Sequence, residues 1–126
     1  MKREILFRAK IAGTDTWIYG LPYAVYSDNE VDSIQSIETK QVEYIRKDTL
    51  AQFTGLKDKN GVKIFEGDVF KLRAKTDVFE VCFEYGCFLA YVGEEQHSLV
   101  GILRKHFIEV IGNIHDNPEL LTLNPE

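Results

Sequence analysis

The sequence predicts a mainly β protein with one or two short helices. Apolar and polar residues alternate with period two in run after run, which is the spacing of half-buried strands. Turn-forming residues break the runs, and Asn60-Gly61 is the strongest hairpin signal among them. Helical spacing is confined to residues 98–106 and 117–121.

Residues 5–11 put Ile5, Phe7, Ala9 and Ile11 on one face and Arg8 and Lys10 on the other. Gly13-Thr14-Asp15 turns the chain, and residues 16–19 return as a second strand. Gly20-Leu21-Pro22 is expected to interrupt pairing, since proline has no N–H for a ladder. Residues 23–26 resume the strand and 27–30 form a surface turn. Val31, Ile34 and Ile37 recur every three residues, but the Ser and Thr content argues against a helix. Residues 31–40 are therefore read as a loop with strand character, and 41–46 as a strand.

The organising stretch is residues 52–70. Two apolar runs flank the Asn60-Gly61 turn, read as type I′ because both residues tolerate positive φ. Gly55 and Gly67-Asp68 mark further bends. After Asp68, Phe70, Leu72 and Ala74 face one way; Val69, Lys71, Arg73 and Lys75 face the other. In residues 78–85, Phe79, Val81, Phe83 and Tyr85 are expected on the core side, opposite Val78, Glu80, Cys82 and Glu84. Gly86 suggests a bulge or tight bend, residues 87–92 a buried strand and 93–96 a turn. Ser98 caps a short helix whose face carries Leu99, Ile102, Leu103 and His106. Residues 107–114 are a last strand. Asn117 caps a helical turn with Pro118 in its first position.

At 126 residues with 44% hydrophobic content the chain suits one domain, 1–126, divisible into a meander (1–50) and a second half (51–126). The net charge of −5 argues against a generally nucleic-acid-binding surface. No apolar leader is evident and no run approaches about 18 apolar residues, so neither a signal peptide nor a membrane span is expected. Two cysteines, Cys82 and Cys87, are too few for a disulfide framework. A reduced, cytoplasmic location follows.

Each candidate for chemistry has a plainer structural reading. Asp58-Lys59-Asn60-Gly61 looks like half a calcium loop. With Gly61 in the sixth position, however, Leu56 and Gly67 fall where carboxylates belong. His97, His106 and His115 lie nine apart and the cysteines five apart, neither of which is a structural zinc spacing. Glu66 and Asp68 would share a strand face as an acid–base or magnesium pair, but Gly67 between them favours a turn bonded by Asp68. No cofactor and no catalytic residue are assigned.

The sharpest candidate is electrostatic. From Lys57 to Lys75 six basic residues face three acidic ones. On a strand, Lys71, Arg73 and Lys75 make a row about 13 Å long that could track phosphates. The plainer reading pairs them with Glu80, opposite Arg73 across a tight turn at Thr76-Asp77, and with Glu84.

Three stretches carry a family resemblance. Residues 50–70 resemble the central signature of the YopX family of small bacteriophage and prophage proteins. Glu109-Val110-Ile111-Gly112-Asn113-Ile114 through Asn117-Pro118-Glu119-Leu120-Leu121 resembles the family's closing motif, and residues 1–10 its opening. Ala51 replaces a usual glycine, Lys10 an aromatic, and His115-Asp116 departs within the closing motif. The resemblance implies a phage or prophage origin and the cytoplasm of an infected bacterium. It assigns no activity. Gly55, Asn60, Gly61, Gly67, Asp68, Gly112, Asn113 and Pro118 are its structural positions.

The expected architecture is an antiparallel meander packed on an SH3-like barrel or strongly bent sheet. The barrel is suggested by the Phe65-Glu66-Gly67-Asp68-Val69 entry pattern. The expected function is a non-enzymatic phage accessory protein that binds a host or phage protein, as a homo-oligomer. The alternatives are a nucleic-acid-binding module using the basic row with exposed Tyr19, Tyr23 or Tyr44, and a small metal-dependent enzyme using Glu66, Asp68 and a histidine.

Overall fold

The computed structural model describes residues 3–25, 30–72 and 76–123. The chain forms two compact units, Met1–Phe53 and Thr54–Glu126.

The first unit contains β1 (Phe7–Lys10), β2 (Trp17–Val25), β3 (Val31–Ser36) and β4 (Val42–Tyr44), with the first residues of β5 (Ala51–Lys57). The hydrogen-bonded order is β4-β3-β2-β1-β5, with all pairs antiparallel. The alternating residues Ala9, Ile18 and Ile34 are buried and meet Ile45, with Phe7, Ile11, Val31 and Leu50 packed around them. The meander bends back on this core. Ile11 bridges Ile45, the Ala12 N–H donates to the Tyr44 carbonyl (2.9 Å), and the Arg46 N–H donates to that of Lys10 (2.8 Å). Thr49, fully buried, locks the corner. Its hydroxyl accepts from the Lys10 N–H at 2.8 Å and donates to the Arg46 carbonyl at 2.7 Å.

Two expectations change here. Pro22 does not interrupt β2. It lies opposite Ile34, and the register shifts on both sides of Ala24, so a bulge absorbs the missing donor. Residues 31–36 form a true strand, because pairing with β2 and β4 outweighs weak local propensity. Ile34 faces the core, and Ile37 sits exposed in the next turn. There the Ser36 hydroxyl accepts from the Glu38 and Thr39 amides.

The second unit holds the rest of β5, β6 (Lys63–Phe65), β7 (Asp68–Leu72), β8 (Val78–Glu84), β9 (Cys87–Val92), β10 (Glu95–Ser98), helix α1 (Leu99–Lys105) and β11 (Ile108–Asn113), followed by a 3-10 segment, Pro118–Leu123. Its five-stranded sheet is antiparallel, in the order β10-β9-β8-β7-β11. The order is open: among the described residues β10 and β11 are edges, so the sheet does not close into the expected SH3-like barrel. The core joins Ile64, Phe70, Leu72, Phe79, Val81, Ala90 and Ile108 to Leu99 and Ile102 of α1. The Phe70 and Phe79 rings stack at 5.1 Å. Ser98 caps α1 as expected, its hydroxyl accepting from the Gly101 N–H at 3.1 Å. His106 is the exposed C-cap rather than part of the apolar face.

The turns redistribute the predicted chemistry. Only Gly61 (φ +80°) has positive φ in the β5–β6 connection, so this is not a type I′ turn. The Gly61 N–H bonds the Asp58 carbonyl at 3.0 Å and the Asp58 N–H bonds that of Val62 at 2.9 Å, the pattern of a turn followed by a left-handed glycine. The type I′ geometry lies instead at Tyr85 (φ +56°) and Gly86 (φ +76°), between the paired Glu84 and Cys87. Phe83 and Tyr85, expected on the core side, are exposed because they lie at this hairpin tip. The turn after β9 is shorter than expected, since β10 begins at Glu95. Val69, assigned to the solvent face by alternation, is fully buried, opposite Gly112 and Glu80.

Candidate functional site

The residues that stand out most in the sequence hold backbone. Asp58 is buried, and its carboxylate accepts three main-chain donors. Oδ1 takes the Asn60 and Val62 amides at 2.8 and 2.9 Å, and Oδ2 takes the Val110 amide at 2.9 Å, 52 residues away. A calcium ligand set has no place there. Asp68, only 2% exposed, accepts the Phe65 N–H at 2.8 Å. Glu66 is half-buried beside it, so the two carboxylates stand in different surroundings. Gly55 and Gly67 occupy left-handed φ. In the closing motif the Asn113 side-chain oxygen accepts the His115 and Asp116 amides at 3.0 and 2.9 Å. The Asn117 side chain does not cap the turn that Pro118 opens; it reaches back to the Asn113 N–H at 3.3 Å. At Gly112 a Cβ would lie 2.5 Å from Asn117 Oδ1.

The other candidates are scattered. Among the described residues no three His, Cys, Asp or Glu side chains stand together as metal ligands. The His97 ring is edge-on to Phe79 at 6.2 Å. Cys82 and Cys87 are free thiols. Burial pushes the Cys82 thiol up to about 12, with Glu80 and then Glu84 and Glu66 adding to the shift. In the basic row Lys71 is exposed and makes no ion pair among the described residues, while Arg73 and Lys75 lie outside them. The expected Arg73–Glu80 pairing lies outside the described residues. Glu80 lies opposite Val69 and Lys71 opposite Val78, because β7 ends at Leu72 and β8 begins at Val78, with no tight turn at Thr76-Asp77. Glu84 instead accepts the Tyr91 hydroxyl.

What sequence reasoning left unassembled is the outer face of the first unit. Register places Tyr19 opposite Arg8, Leu21 opposite Gln35, Gln35 opposite Val42, and Ser33 opposite Tyr44. These residues alternate with the core residues Ile18 and Ile34, so Tyr19, Leu21, Val42 and Tyr44 share the outward face. All four are exposed, Leu21 at 49% and Tyr44 at 69%. Tyr23, also exposed, sits at the β2 bulge. Arg8 and Lys10, predicted to be solvated, are 7% and 4% exposed. They lie against the Trp17 ring, with the Arg8 guanidinium carbon 4.6 Å and Lys10 Nζ 5.5 Å from its centroid, as cations on an indole face do. Asp15 answers the charge, 3.5 Å from Lys10 and 3.6 Å from Arg46. The signal for this burial is Trp17, which registers directly opposite Lys10. A cleft of about 340 Å³ opens alongside, lined by Ile11, Trp17, Ile18, Tyr19, Ser36, Glu38, Thr39, Gln41 and Glu43.

Among curated proteins no match is found. The chain is similar in structure to protein EF1440 from Enterococcus faecalis, with 30% identity and a TM-score of 0.66 over 95% of this chain and 99% of that one. It shares its fold with protein yopX from Bacillus subtilis, with 23% identity and a TM-score of 0.61 over 92% and 95% of the two chains. The family model described as YopX protein matches residues 6–122. The central and closing stretches that suggested that family, and the second half of the opening one, thus sit within one continuous match, and the chain belongs to the YopX family.

Proposed function

We propose that this protein is a non-enzymatic protein-binding module, encoded by a phage or prophage and acting in the host cytoplasm, whose docking surface is the outward face of β2–β4. The observation that carries this reading is the exposed set Tyr19, Leu21, Val42 and Tyr44 on one sheet face. Aromatic and aliphatic side chains grouped on an exposed surface are what a protein interface uses. Two carboxylates first considered for a metal or for acid–base chemistry, Asp58 and Asp68, are occupied in turns. The nucleic-acid reading rests on Lys71 and the exposed tyrosines; Arg73 and Lys75 lie outside the described residues.

Affinity capture from infected cells tests the proposal. The wild-type chain is expected to retain a defined host or phage protein, and a Leu21→Ser, Tyr44→Ser double variant is expected to lose it while keeping its far-ultraviolet spectrum. Light scattering on the purified chain tests the homo-oligomer. Equal capture by both proteins, or salt-sensitive nucleic-acid binding lost in a Lys71→Gln, Arg73→Gln, Lys75→Gln variant, would overturn it.

A further inference from the structure

We propose that the cleft beside Trp17 and Tyr19 receives an arginine side chain from a basic segment of a partner protein. The inference rests on the protein-binding reading and names the chemistry of its partner.

Three features of the cleft fit one occupant. Its volume, about 340 Å³, has room for a long side chain. Its lining joins the apolar and aromatic Ile11, Trp17, Ile18 and Tyr19 to the carboxylates of Glu38 and Glu43, with no cation. Neither carboxylate has a hydrogen-bond or ion-pair partner among the described residues. The Ser36 and Thr39 hydroxyls in the lining are already in use: that of Ser36 accepts from the Glu38 and Thr39 amides, and that of Thr39 from the Gln41 amide. The unmet demand is therefore for a cation above an apolar stem. Arginine supplies both, and its planar guanidinium stacks on rings and forks onto carboxylates. Arg8 and Lys10 do not compete for these carboxylates, since they are buried against Trp17 and do not line the cleft.

Trp17 is the only tryptophan, so its emission reports on this cleft alone. The full chain is titrated with a capped peptide alternating arginine and alanine, and with the same peptide carrying glutamate. A saturable change with the arginine peptide, weakened by salt, and none with the glutamate peptide are expected. A Glu38→Gln, Glu43→Gln variant should bind about tenfold more weakly, as two exposed charge pairs would have it. Thr39→Arg, which brings a cation of the chain's own to the cleft, should abolish the response while keeping the far-ultraviolet spectrum. No response to the arginine peptide, or equal binding by the double glutamine variant, overturns the proposal. So does concentration-dependent self-association that the glutamine variant loses, because the occupant would then be a second copy. The broader reading is separable. A partner captured equally by wild type and the glutamine variant, but lost with Leu21→Ser, Tyr44→Ser, would leave protein binding standing and sink the cleft.

Discussion

Replacing Asp58 with alanine removes a carboxylate that holds three backbone amides across 52 residues of sequence. The losses are unequal. The Asn60 and Val62 amides lie in an exposed turn, where water replaces the carboxylate. The Val110 amide is half-buried in β11, and its bond to an ionised acceptor is worth about 1.5–3 kcal/mol. The two turn bonds together add about 1 kcal/mol, for a total near 3 kcal/mol. Asp58→Asn keeps an oxygen for the turn but presents an amide donor to the Val110 N–H, and should cost about 2 kcal/mol. If the 126 residues unfold together, the alanine variant melts about 11 °C lower. Urea unfolding followed by far-ultraviolet circular dichroism is the assay, since Trp17 lies in the first unit. A loss under about 0.5 kcal/mol for alanine would refute the reasoning, because it would mean that Asp58 bridges nothing.

Gly61→Val should cost about 1–3 kcal/mol by the same assay. A Cβ there meets nothing within 4 Å, so the whole cost is the φ of +80° and Gly61→Ala should show much of it. Gly112→Ala should cost about 1–3 kcal/mol for a different reason, overpacking against Asn117 and Leu120, and should cost less in an Asn117→Ala background. Iodoacetamide at pH 8 should label exposed Cys87 and spare Cys82, as mass spectrometry of the peptides would show. Above about pH 9 the unfolded Cys82 thiol loses a proton that the folded one keeps up to about 12. The folded state then holds more protons, so stability, undiminished below that window, falls as pH rises through it. Cys82→Ala should flatten this alkaline limb.

Strands were legible where side chains alternate in the sequence. Residues 5–11, 41–46 and 78–85 were read as strands and contain β1, β4 and β8, and Ser98 announced α1 through its cap. The misses share a cause, which is that pairing partners are not local. Pro22 stays in a strand because β3 accepts a shifted register, and residues 31–36 become a strand because neighbours on both sides complete the ladder. Tyr85 takes the left-handed φ expected of Asn60, and only the full β8–β9 register reveals it. The turn residues of the central and closing stretches were readable as turn residues. The candidate face was not, because Tyr19 and Leu21 of β2 and Val42 and Tyr44 of β4 are brought together only through β3 between them.

The strand order of the second sheet bears on synthesis. β7 to β10 can zip together as successive neighbours while the chain is still emerging. β11, the last strand made, must return to the far edge beside β7. Until then β7 is an open edge lined by Val69 and Phe70, and Asp58 has no Val110 amide to hold. A ribosome stalled or a chain clipped before Ile108 would leave that sticky edge bare, the form of this protein most prone to pair with its own copies.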